Sequence, residues 1–208
     1  MIEIAAHAFV TLFVIVDPIS VGAIFLGLSD RLTEHQRRHV ALNATIIATV
    51  VLLLFAFGGE YLFRLLGISI SAFSIAGGAL LFLLAIDMVL AKRTGLRSTT
   101  VSEDREAESK DDITVFPLAI PLIAGPGALT SILLLMGQAE PNLWKQGTVI
   151  AVVIVVMALT AVFLRAAGAM VRLLGVTGVN VIGRVFGIIL AALAIQYILN
   201  GLKSSGLV

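Results

Sequence analysis

The sequence predicts an all-α membrane protein: six transmembrane helices in two inverted three-helix repeats, with spans 1 and 4 broken near the bilayer midplane. Three observations predict it. Of 208 residues, 59% are hydrophobic and only 13% charged, against roughly 25% charged in a soluble domain. Charged residues divide the chain into apolar stretches near the roughly 20 residues that cross a hydrocarbon core of about 30 Å. The two halves of the chain also resemble each other at a nearly constant offset.

Span 1 lies between Glu3 and Asp30, with Asp17 as its only charge, and span 2 runs from Val40 to Phe57 without one. Span 3 covers Leu65 to Ile86 and span 4 Ile113 to Ala139, long enough to tilt or bend. Span 5 covers Gln146 to Leu164 and span 6 Val185 to Leu202. Helices are expected because each segment can satisfy its own backbone in lipid and no alternating barrel pattern appears. Residues 92–112 hold five basic and six acidic residues and must be solvated.

At an offset of 108 residues, RLLGIS at 64–69 falls on RLLGVT at 172–177, and Asp17-Pro18 falls on Gly125-Pro126. A further two-residue shift places Gly77 on Gly187 and Ser74 on Arg184. The expected organisation is a first repeat over 1–91, a charged loop over 92–112 and a second repeat over 113–208. Three spans per unit is an odd number, so the second unit inserts upside down relative to the first, as in many secondary transporters. The loops after spans 1, 3 and 5 carry eleven of the fourteen Lys and Arg residues, the opposite face only Arg64, Lys145 and Lys203. The positive-inside rule therefore puts 92–112 in the cytoplasm and both termini outside. No Lys or Arg precedes span 1, so it lacks the basic start of a cleaved signal peptide and is expected to be retained.

Other function classes fall away on composition. A net charge of +1 offers no basic surface for nucleic acid, and the absence of cysteine removes disulfides and thiolate metal sites. HExxH and GxSxG are absent, which counts against a membrane enzyme. A channel needs a continuous polar path, and the spans hold few polar residues. A structural subunit would tolerate filled breaks, which a transporter should not.

The breaks carry the functional reading. Pro18 removes a backbone donor and biases Asp17 away from the α region, so span 1 is expected to open near its midpoint. Gly125-Pro126-Gly127, preceded by Pro117 and Pro121, interrupts span 4 equivalently. Paired interruptions point to a transporter site, because open backbone at that depth must line a cavity or be buried in protein. Free amides around Ser20 to Gly22 and Gly127 to Leu129 would attract a carboxylate. Asp17 would meet an ammonium group, and Ser20, Thr130 and Ser131 would add hydroxyl contacts. Those groups together suit a small zwitterion, with H⁺ or Na⁺ as coupling ion and no cofactor. The plainer alternatives are that each proline only kinks its helix and that Asp17 only caps the second half-helix.

Elsewhere the readings are structural. Asp87 is expected in an interfacial ion pair with Lys92 or Arg93, with proton relay as the lesser alternative. Arg184 can snorkel, while Asn43 and Gln196 suit interhelical hydrogen bonds as polar support. Gly183 and Gly187 form a GxxxG spacing that serves tight packing and is weak support for a homo-oligomer. His7 is expected at the outer interface.

The stretches DPISVGAIFLGLS, GISISAFSIAGGALL, PLAIPLIAGPGALT and GRVFGIILAALAIQYILNGL resemble the conserved segments of the MarC family, which includes the SnatA-type neutral amino acid transporters. The likeness extends from about residue 9 to residue 201. It implies a six-span inner-membrane protein that moves small neutral amino acids such as glycine and alanine. Relatives usually carry Arg at the position of Ser74, and some have Asn at that of Asp17. The family's DPxGNxP becomes DPISVGAIF here, so an Asn and a second Pro are missing beside the first break.

Overall fold

A computed structural model describes residues 2–30, 32–91 and 113–206. The charged 92–112 loop lies outside them. In chain order the helices are α1 (Ile2–Val16), α2 (Pro18–Leu28), α3 (Glu34–Leu66), α4 (Ile70–Val89), α5 (Thr114–Ile123), α6 (Pro126–Ala139), α7 (Leu143–Arg165) and α8 (Ala167–Ser204).

Apolar side chains cover these helices on all sides, and burial divides them into two faces. On α3, Ala41, Ala44, Ala48, Leu52 and Ala56 recur at helical spacing and are buried, whereas Leu42, Ile46, Val50, Leu54 and Phe57 are exposed. An exposed apolar face of that length is abnormal in water and ordinary in lipid. Five helices among the described residues are long and apolar enough to cross a membrane, counting α1 and α2 as one, and the bent pair α5–α6 makes a sixth if it is a single span. Some hydroxyls within the spans turn back onto their own helices. Thr45 donates to the Ala41 carbonyl at 2.7 Å and Thr160 to that of Val156 at 2.8 Å, which satisfies both groups without a neighbour.

The helices α4 and α8 cross antiparallel at a glycine seam. A Cβ added at Gly78 would lie 2.7 Å from the Ala194 carbonyl oxygen, one at Gly187 2.9 Å from the Val89 nitrogen, and one at Gly201 2.8 Å from the Ser71 carbonyl oxygen. Only hydrogen fits at these points, and the two backbones meet because it does. Ser74 joins the seam by donating to the Tyr197 carbonyl at 2.8 Å. Both glycines of the GxxxG spacing face inside the chain, since Gly183 lies against Ser20 Oγ. The α8 helix is longer than span 6 and is interrupted at Gly175, whose φ of 66° and ψ of 171° are non-helical.

The two breaks differ in form. In span 1 the break is present but narrow: α1 ends at Val16, Asp17 leaves the helical region and α2 starts at Pro18, while the Asp17 amide donates to the Phe13 carbonyl at 2.9 Å and the Val21 amide to the Asp17 carbonyl at 3.0 Å. Pro18 lacks a donor, and the Ser20 amide in the first turn of α2 is taken by the Asp17 side chain. Span 4 is more disrupted. Phe116 and Ile120, each preceding a proline, have extended backbone inside α5, and the segment bends by 53° into α6. Such residues are sterically pushed out of the α region, so Pro117 and Pro121 account for the distortion.

Candidate functional site

Asp17 has φ 47° and ψ 65°, a left-handed conformation that Asp and Asn tolerate better than other side chains. From there its Oδ1 accepts the Ser20 amide hydrogen at 3.2 Å. The amides expected to be free around Ser20 to Gly22 are therefore partly occupied: Ser20 by the Asp17 side chain and Val21 by the Asp17 carbonyl. Capping of the second half-helix is the geometry found, and it leaves Asp17 facing a cavity.

That cavity, about 210 Å³, lies between the first break, the end of α4 and the first half of α8. Its polar lining is Asp17, Ser20, Asp87 and Asn180; Ile24 and Val179 are among its apolar walls. Asp17 is 1% exposed, and Asp87 is half-buried. Two carboxylates, a hydroxyl and an amide thus converge from three elements on one space. Asp87 was expected at an interface beside Lys92 and Arg93, which fall outside the described residues. Its place in the lining shared with Asp17 makes it a candidate site residue, where the sequence favours an ion pair. Asn180 was missed altogether, because a single amide in GVNVIG carries no motif.

The remaining site candidates do not line this cavity. Pro18 starts α2 and is buried, and Gly22 faces Met170, Ala167 and the Phe163 carbonyl. In the second break, Gly125 caps α6 without a side-chain bond, and Pro126 is exposed. Gly127 packs against the first break, since its added Cβ would lie 2.7 Å from Leu84 Cδ2 and 3.4 Å from Ile15 Cγ2. The breaks therefore approach each other, with Ile15, Leu81 and Leu84 filling the space at Gly127. Thr130 is buried against Gly77. The Ser131 hydroxyl is fully buried with no hydrogen-bond partner among the described residues.

The polar support residues stand apart. Asn43 is half-buried on α3, and Arg184 is exposed on α8. Gln196 is exposed and donates to Asn200 Oδ1 at 2.8 Å within the same helix, which corrects the expected interhelical bond. One turn separates the two residues, so the nearest acceptor was local.

Apolar helices long enough to cross a bilayer, a bent span and a cavity lined by acidic residues define an integral, multi-pass helical membrane protein. The chain belongs to the MarC family of integral membrane proteins, whose family model matches residues 2–205. It is 36% identical to a UPF0056 membrane protein of Pyrococcus abyssi, covering 96% of this chain and 94% of that one. It is 34% identical to the UPF0056 membrane protein YvbG of Bacillus subtilis, covering 98% and 96%, and 33% identical to YhcE of Escherichia coli, covering 94% and 90%. No solved structure matches the chain.

Proposed function

We propose that the protein is a secondary transporter of a small neutral amino acid, glycine or alanine, bound in the cavity between the first break, α4 and α8. The observation that carries this reading is the convergence of Asp17, Asp87, Ser20 and Asn180 on one cavity inside a membrane protein. Carboxylates within a membrane favour a cation beside them. The substrate ammonium is one such cation, and a coupling H⁺ or Na⁺ another. Asn180 and the Ser20 hydroxyl offer donors to the substrate carboxylate, and apolar walls favour a short side chain.

In this reading the two halves are inverted repeats, the termini face outward and the cavity faces the cytoplasm. Both RLLG motifs support the repeat, because Gly67 and Gly175 share a positive φ, 68° and 66°. Gly127, Ile15, Leu81 and Leu84 form the plug between the cavity and the second break, and alternating access opens that plug while the other end closes.

The test is counterflow of labelled glycine and alanine in liposomes carrying the purified protein, compared with empty liposomes and with Asp87→Asn. Protein-dependent exchange that falls at least tenfold in the variant is the expected result. No exchange of any small neutral amino acid by folded protein would refute it.

A further inference from the structure

A second cavity, about 350 Å³, lies where the end of α2 and the start of α3 meet the turn between α7 and α8. Arg37, Arg38, Arg165 and Arg172 line it, against Glu34 as the single acidic residue. Phe25, Leu26 and Leu164 supply apolar walls. Both halves of the chain contribute, and the first cavity shares none of these residues.

The arginines are differently engaged. Arg37 donates through Nε to the Ser29 carbonyl at 2.8 Å and through Nη2 to that of Asp30 at 3.2 Å, which fixes the turn after α2. Arg38 pairs with Glu34 at 3.2 Å. Arg165 and Arg172 are exposed and make no hydrogen bond or ion pair among the described residues. Two unengaged guanidinium groups, each able to grip two oxygens, therefore face the same space.

We infer that this pocket binds the phosphate-bearing headgroup of an anionic phospholipid. The shared chemistry is a phosphate, and the setting selects the lipid over free phosphate. The pocket sits at the ends of membrane-spanning helices, its walls are partly apolar, and exposed Leu28 and Leu173 flank it with surface for acyl chains. Basic pockets between transmembrane helices are a recurring form of lipid headgroup site.

The experiment is native mass spectrometry of the full chain in neutral detergent, titrated with phosphatidylglycerol or phosphatidylcholine, for the natural protein, Arg165→Gln/Arg172→Gln and Arg165→Lys/Arg172→Lys. Phosphatidylglycerol should bind the natural protein in preference to phosphatidylcholine. The glutamine variant should bind it about tenfold or more weakly, since each basic residue near an anionic headgroup matters by several-fold, while the lysine variant retains most of the preference. Monodisperse elution of both variants separates lost binding from misfolding, and should elution fail, the single variant Arg172→Gln takes their place with a several-fold loss expected. Equal binding of the two lipids, or unchanged binding by the folded glutamine variant, would overturn the inference. Displacement of phosphatidylglycerol by inorganic phosphate at equal concentration would overturn the lipid assignment in favour of a free anion.

Discussion

Replacing Asp17 by Asn and by Ala separates the two roles that the structure gives this side chain. Both variants lose the carboxylate charge, so their difference isolates backbone and cap. Asn keeps an acceptor for the Ser20 amide, now at 3.2 Å from Asp17 Oδ1, and tolerates the left-handed φ of 47°. Ala does neither. Holding a residue with a bare Cβ in that region costs about 1–2 kcal/mol, and losing an N-cap typically costs about 1 kcal/mol. Asp17→Ala should therefore be about 2–3 kcal/mol less stable than Asp17→Asn. Equilibrium unfolding by SDS in mixed micelles, followed by circular dichroism, measures the gap. A difference below about 0.5 kcal/mol would refute the capping geometry. Amino acid binding behaves differently under the proposed function: both variants lose the negative charge, so both weaken it.

Other substitutions test the packing. Gly127→Leu drives a side chain into Leu84, Ile15 and Leu81; overpacking of this kind costs about 1–3 kcal/mol, and liposome exchange should disappear while membrane insertion, read by extraction with carbonate, persists. Gly78→Ala places a methyl 2.7 Å from a backbone oxygen of α8, so thermal unfolding in detergent should show a loss of about 1–2 kcal/mol. Gly58→Ala, with nothing within 4 Å, should instead leave stability unchanged or raise it by up to about 1 kcal/mol. Gly175→Ala meets a backbone region essentially reserved for glycine, and the same measurement should show a loss of about 1–3 kcal/mol.

The helical spans were legible because charge and hydropathy act on every residue of a segment, and a bilayer leaves few ways to satisfy twenty apolar residues. Helix ends were less legible. Span 2 was expected to end at Phe57, yet α3 continues to Leu66. Glycines such as Gly58 do not stop a helix on their own, and the left-handed Gly67 is what ends this one. Span 6 was expected from Val185, but α8 is already helical from Val176, just past its interruption at Gly175. The same RLLG tetrapeptide supplies both left-handed glycines, Gly67 after α3 and Gly175 inside α8.

The first break shows why motif and geometry part company. Pro18 interrupts a ladder, but a carboxylate directly before it can replace the lost order, and here Asp17 does so with its own side chain and carbonyl. Gly125 has no side chain to do likewise, and the two prolines before it distort α5 as well. The two positions that align in sequence at an offset of 108 residues are thereby unequal: one is a capped, nearly continuous span whose carboxylate faces a cavity, the other a 53° bend whose glycine packs against the first. That inequality bears on the proposed mechanism. Under the proposed function, charge recognition would rest on Asp17 and Asp87, which line the same cavity, while Gly127, packed on Leu84, Ile15 and Leu81, would govern whether the core between the breaks can open. Substitutions at the aspartates should therefore change affinity in equilibrium binding, and substitutions at Gly127 should change the exchange rate. A Gly127 variant that weakens binding while exchanging at the natural rate would contradict this division.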